Sequence, residues 1–128
     1  MDVHLLVYDL SQGLARQMSA GLLGFQLDAI YHTSIKLKGR EYVYDGNVVS
    51  IIPGTSHLGR PMQEIYLGKT ELPMEVIEEY LDSLREIYTV EAYDLWRHNC
   101  NNFSNDLAMF LLGKGIPNHI ANMPQAVL

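Results

Sequence analysis

The chain opens on a branched apolar run, Val3-His4-Leu5-Leu6-Val7-Tyr8, that stops at the turn-prone cluster Asp9-Leu10-Ser11-Gln12-Gly13. A run of this kind bounded by breakers predicts a buried first strand. Asp2 puts an acid where a secretory leader would carry base, so the segment reads as a strand and not as an address. Leu14, Met18, Leu22 and Leu23 then recur at helical spacing and predict a short helix ending near Gly24. From Asp28 to Leu37 the period changes to two. Ala29, Tyr31, Thr33, Ile35 and Leu37 share one face of a strand, and Ile30, His32, Ser34 and Lys36 share the other. Gly39-Arg40 turns the chain into a strand from Glu41 to Tyr44, and Asp45-Gly46 supplies a hairpin turn before Asn47 to Ile52.

Pro53-Gly54-Thr55-Ser56-His57-Leu58-Gly59-Arg60-Pro61 holds too many breakers for regular structure and predicts a surface loop before a strand from Met62 to Leu67. Pro73 suits a first helical position, and Met74, Ile77, Leu81, Leu84 and Tyr88 follow at steps of three and four, the apolar stripe of a helix. Its other face carries Glu75, Glu78, Glu79, Asp82, Arg85 and Glu86, a solvated face. Glu91 to Trp96 predicts another strand. Asn99-Cys100 opens a second helix, with Phe103, Leu107, Phe110 and Leu111 apolar and an end near Gly113, and Ile116-Pro117 begins a short terminal segment. No repeat or linker interrupts the pattern, which is that of an α+β domain with a mostly antiparallel sheet packed by helices.

At 128 residues with 48% apolar and 19% charged side chains, the chain fits one compact domain spanning 1–128. Nine Lys and Arg against fifteen Asp and Glu give a net charge of -6, the wrong sign for a protein that binds by neutralising phosphates, so no nucleic-acid partner is expected. No stretch approaches the roughly 18 apolar residues of a membrane-spanning helix, so no membrane insertion is expected either. A single cysteine, Cys100, leaves no internal disulfide and suits a reducing compartment. The expected location is cytoplasmic, with the nucleus left open.

Cys100 follows Asn99, a strong helix-capping type, which puts its sulfur in the first helical turn, where free N–H groups and the helix dipole favour an anion. Joined by a cationic histidine, such a setting lowers a thiol pKa to roughly 3.5–7.5 and predicts an available thiolate. The plainer reading is a small buried hydrophobe; the polar surroundings His98-Asn99-Cys100-Asn101-Asn102 weigh against it. A thiolate nucleophile needs an imidazole partner. His32, held mid-strand, is best placed. His98 ranks second because neighbours two apart at a strand-to-helix corner usually point apart. His57 could touch substrate from its loop, and His4 and His119 read as inert. No metal site is expected, since one cysteine and scattered histidines make no paired ligand motif. Gly68-Lys69-Thr70 imitates the end of a phosphate-binding loop, but Gln63 stands where its first glycine belongs. A Gly-x-Ser-x-Gly elbow is absent, and no cofactor is implied.

With His32 in Tyr31-His32-Thr33-Ser34-Ile35 and Cys100 in His98-Asn99-Cys100-Asn101-Asn102-Phe103-Ser104-Asn105, the chain resembles the PPPDE superfamily of permuted-papain-fold peptidases, especially the desumoylating isopeptidases. Val7-Tyr8-Asp9-Leu10-Ser11, Gly13-Leu14-Ala15-Arg16, Leu23-Gly24, Pro53-Gly54-Thr55 and Ile116-Pro117 extend the likeness over nearly the whole chain. The resemblance implies a permuted papain-like cysteine protease fold in which the strand histidine precedes the helix cysteine, here by 68 residues. It implies His32 as base and Cys100 as nucleophile in a dyad, with no third catalytic residue assigned. It also implies SUMO or ubiquitin conjugates as partners, and a homodimer in which the oily helix surfaces are candidate contacts.

The activity expected from the resemblance is hydrolysis of the isopeptide bond between a ubiquitin-like modifier, SUMO first, and a substrate lysine. Two alternatives remain: a thioester hydrolase, or protein S-deacylase, using the same dyad, and a noncatalytic modifier-binding module.

Overall fold

The computed structural model describes residues 1–11, 30–94 and 98–121. Five strands, β1 (Asp2–Asp9), β2 (Tyr31–Leu37), β3 (Arg40–Asp45), β4 (Asn47–Ile51) and β5 (Gln63–Lys69), form one sheet in the order β4-β3-β2-β1-β5, and each neighbouring pair runs antiparallel. The helices α1 (Met74–Ile87), α2 (Cys100–Leu112) and α3 (Asn118–Ala121) follow. Class and sheet direction agree with the sequence pattern. The helix expected from Leu14 to Gly24, and Asp28 and Ala29 of the second strand, lie outside the described residues.

The first strand is buried as its composition demands. Leu5, Leu6, Val7 and Tyr8 are buried one after another, so both faces of β1 are covered, the mark of a central strand. The core lies between one sheet face and the helices. Val3, Leu5, Val7, Ile35, Leu37, Tyr42 and Tyr44 meet Ile77, Leu81 and Leu84 of α1 and Phe103, Leu107, Ala108 and Leu111 of α2. Each such side chain contributes about 1.5–3 kcal/mol by leaving water. Phe110 lies outside that seam and stacks on Tyr80 of α1, ring centroids 3.9 Å apart.

Three local expectations change. Pro73 is the N-cap of α1 and not its first helical residue; its extended ψ of 152° leads the chain in. The strand expected from Glu91 to Trp96 is not a sheet strand in its described part: Glu91 and Ala92 turn, and Asp94 makes an isolated antiparallel bridge with His98. The oily helix faces offered as dimer contacts are consumed by the core, with Ile77, Leu81 and Leu107 fully buried. The larger exposed apolar side chains of the helices are instead Val76, Ile87 and Met109.

Candidate active site

Residues 99–102 build the start of α2 from their own side chains. Asn99 accepts from the N–H groups of Asn101 (2.9 Å) and Asn102 (3.2 Å), and Asn102 returns its Oδ1 to the Asn99 N–H at 2.8 Å, a complete capping box. Cys100 is thereby fixed as the first helical residue, 2% exposed. At the other end Gly113, with φ of 74°, closes the helix in the left-handed region.

The side chain of Asn101 fastens this helix start to β2. Its Nδ2 donates to the Tyr31 carbonyl at 3.0 Å, and its Oδ1 accepts from the Thr33 hydroxyl at 2.7 Å and from the Cys100 thiol at 3.6 Å. The two strand residues it holds are the immediate neighbours of His32. The Thr33 backbone N–H also reaches the Cys100 sulfur. Two elements remote in sequence are thus registered against each other at the residues the motif singled out.

His32 is 7% exposed and pairs across the ladder with Tyr8 of β1, whose ring stands edge-on to the imidazole with centroids 5.7 Å apart. Burial lowers its pKa below the ordinary value of 6.5; Asp45 and then Glu41 pull it upward, and His57 pushes it down. Cys100 departs from the expected thiolate. Burial pushes its thiol up to about 11, against which the N–H groups of Thr33, Asn101 and Cys100 itself pull only in part. A helix start stabilises an anion by partial charges, whereas withdrawing the sulfur from water penalises the same anion more strongly. Burial thus favours the neutral form of each group, thiol and imidazole. Tyr93 also borders the sulfur; burial first, and the neighbouring cysteine next, push its hydroxyl up to about 12.

The other histidines are placed elsewhere. His98 lies flat on Tyr88, centroids 4.2 Å apart, and its Nδ1 meets the Ala92 carbonyl at 3.0 Å, so it belongs to the aromatic packing around Tyr44 and Phe103. His57 is exposed on its loop, 3.8 Å from Asp45 Oδ2. His4 packs on Tyr66 and His119 on Tyr31. No cluster of three or more metal-ligating side chains occurs among the described residues.

Sequence reasoning named the cysteine and the histidine but missed the groups around them. Asn101 and Thr33 carry the junction between α2 and β2. Glu41 of β3 is a buried acid that accepts from Tyr8, Ser34 and the Gly54 N–H. The available signals were a run of asparagines at a helix start and a lone acid opening an aromatic strand.

Residues 1–128 of this α+β chain match the family model described as "PPPDE putative peptidase domain". The chain belongs to that family. It is 47% identical over 128 residues to "Desumoylating isopeptidase 1" of Homo sapiens and, equally, of Xenopus laevis, covering 98% of this chain and 76% of each relative. It is 32% identical to "DeSI-like protein sdu1" of Schizosaccharomyces pombe, covering 94% of this chain and 62% of that protein. By family and by these similarities the protein is a cysteine-type isopeptidase hydrolase.

Proposed function

We propose that the chain hydrolyses the isopeptide bond between a ubiquitin-like modifier, SUMO first and ubiquitin second, and a substrate lysine, with Cys100 as nucleophile and His32 as base and acid. The observation that carries this reading is the Asn101 side chain, which ties the residue next to Cys100 to both backbone neighbours of His32. The printed names of the relatives, desumoylating isopeptidases, supply the substrate class. A strand histidine that precedes a helix cysteine in the chain supports the permuted papain arrangement, and the family match over 1–128 supports a single peptidase domain.

In this mechanism the Cys100 S–H bond breaks as sulfur attacks the carbonyl carbon of the modifier's terminal glycine, and the proton passes to His32. Starting from a neutral pair, transfer and attack occur together. The Cys100 N–H, at a helix position with no intrahelical acceptor, is a donor to the developing oxyanion. Collapse expels the lysine amine, which takes the proton back from His32 and leaves a thioester. His32 then deprotonates water, which releases the modifier as its carboxylate and restores the thiol. A terminal glycine suits this buried sulfur, because a chain without a side chain enters where a Cβ would clash.

A homodimer and a cytoplasmic location, open to the nucleus, are part of the same proposal; the lone buried cysteine fits a reducing compartment. The test is a SUMO whose terminal glycine bears a thiol-reactive electrophile, followed by intact-mass measurement. Wild type is expected to gain one adduct, Cys100→Ala none, and His32→Ala an adduct only after prolonged reaction. No adduct with either the SUMO or the ubiquitin probe overturns the reading, and turnover of an S-acyl peptide without turnover of isopeptides replaces it with thioester hydrolysis.

A further inference from the structure

Among the described residues Glu41 is the one acidic side chain in the buried polar set, with 1% of its surface exposed. The ladder pairs Glu41 with Lys36, so it stands on the same face of the sheet as Ser34 and His32. Three donors converge on its two oxygens. Oε2 accepts from the Tyr8 hydroxyl at 2.8 Å and from the Ser34 hydroxyl at 2.5 Å, and Oε1 accepts from the Gly54 N–H at 3.0 Å. Every oxygen of the Glu41 side chain is thus engaged by a neighbour. Tyr8 continues the chain: the ring whose hydroxyl Glu41 holds is the ring packed against the His32 imidazole. Gly54, with φ of 77°, belongs to the loop that carries His57.

We propose that Glu41 is a positioning residue for the reaction, holding His32 through Tyr8 and fixing the neighbouring loop through Gly54. The inference deepens the proposed dyad and rests on it. When His32 takes the thiol proton it becomes a cation inside the fold, and fixed negative charge nearby favours that form. The charged groups that act on it are Asp45 and Glu41 on β3 and His57 on the loop, with the Tyr8 ring of β1 packed against it. Of the two acids Asp45 exerts the larger pull on His32. Asp45 is more than half exposed and faces His57, so water and salt screen it. Glu41 is shielded from solvent, and its bonds to Tyr8 and Ser34 leave it no freedom to turn away.

The test uses the whole chain with Glu41→Gln, and Tyr8→Phe as a second variant. With Cys100→Ala as background, the His32 ring is titrated by NMR without interference from the thiol. Glu41→Gln is expected to lower that titration by about half a pH unit or more, little changed by salt, while the shift from Asp45→Asn shrinks in high salt. In the chain with Cys100 intact, Glu41→Gln is expected to lose about tenfold or more in kcat, with KM within about threefold. Tyr8→Phe, which keeps the ring but cuts its tie to Glu41, is expected to lose kcat and leave the His32 titration in place. A Glu41→Gln protein that folds with an unchanged His32 titration overturns the proposal. So does Tyr8→Phe with wild-type kcat, which decides the matter if Glu41→Gln does not fold. The titration does not depend on which conjugate is cut, so failure of the wild-type chain on SUMO conjugates would count against the proposed substrate alone.

Discussion

His98 lies two residues before Cys100, His32 lies on the strand to which the start of the Cys100 helix is hydrogen-bonded, and the two regions that hold these histidines differ in kind. Around His98 the side chains are aromatic and stacked. Tyr88 covers one face of the imidazole, Tyr44 stands against its edge, and the ring nitrogen is occupied by the Ala92 carbonyl. Around His32 the neighbours are polar and directional, with Thr33 and Asn101 on the helix side and Tyr8, Ser34 and Glu41 in a second connected set. Two residues before Cys100, His98 is committed to the stack on Tyr88 and to the Ala92 carbonyl. The 68-residue separation of His32 and Cys100 was bridged by hydrogen bonds to the residues on either side of His32. Nearness along the chain does not decide which groups meet, because a side chain's direction is set by its own element and not by its neighbour's.

The contrast is sharpest in the largest expected effect. Cys100→Ala is expected to remove turnover of a SUMO-conjugated protein, and His32→Ala to cost about 10²–10⁴-fold in kcat. His98→Ala should leave kcat within about threefold and instead lower stability to urea by about 1–3 kcal/mol, through loss of the stack on Tyr88 and of buried ring area. A His98 variant that loses activity like the His32 variant, with unchanged stability, would reverse the assignment.

Asn101→Ala tests the link between the two elements. It removes the acceptor of the buried Thr33 hydroxyl and the Asn101 donor to the Tyr31 carbonyl, so a destabilisation of about 1–3 kcal/mol by denaturant titration is expected. It should also lower kcat, because the helix start is no longer registered on β2. Normal activity in a destabilised protein would make Asn101 structural glue only.

A third expectation concerns pH. Alkylation of folded Cys100 by iodoacetamide should follow a thiol ionising toward about 11, whereas the urea-unfolded chain follows the ordinary value near 9.0. The thiol's folded pKa is raised, so the unfolded chain ionises first, and stability from this group is lost as pH rises from near 9.0 toward 11. The His32 pKa is depressed by burial, so the unfolded chain takes up a proton first. Its contribution is present above 6.5 and lost as pH falls below that. Denaturation midpoints that are flat below pH 6.5 in wild type, or that fall equally in His32→Phe, would break this account. The smallest effect is expected at His57: His57→Ala removes an exposed partner of Asp45 and should change kcat by less than about threefold, detectable in paired progress curves.

Much of this organisation is written locally. The alternation of Tyr31, Thr33, Ile35 and Leu37 against His32, Ser34 and Lys36 specifies a strand, and Asn99 followed by Asn102 specifies a helix start. The apolar stripe of α1 is equally plain, and the structure buries Ile77, Leu81 and Leu84. In its described part the segment after Val90 departs from the expected strand: Glu91 and Ala92 turn, and Asp94 makes an isolated bridge with His98, which stacks on Tyr88. The Glu41 network was invisible because its partners lie on β1, on β2 and in the loop after β4.

From sequence alone came the five sheet strands in order, the helices over 74–87 and 100–112, and the Asn99 cap, since each depends on residues within a few positions of one another. Only the fold decided that burial pushes the Cys100 thiol up, that His98 packs on Tyr88, that Asn101 ties α2 to β2, and that Glu41 gathers Tyr8, Ser34 and Gly54. Burial and hydrogen-bond partnership are properties of groups brought together from distant parts of the chain, and it is these that determine where a proton resides.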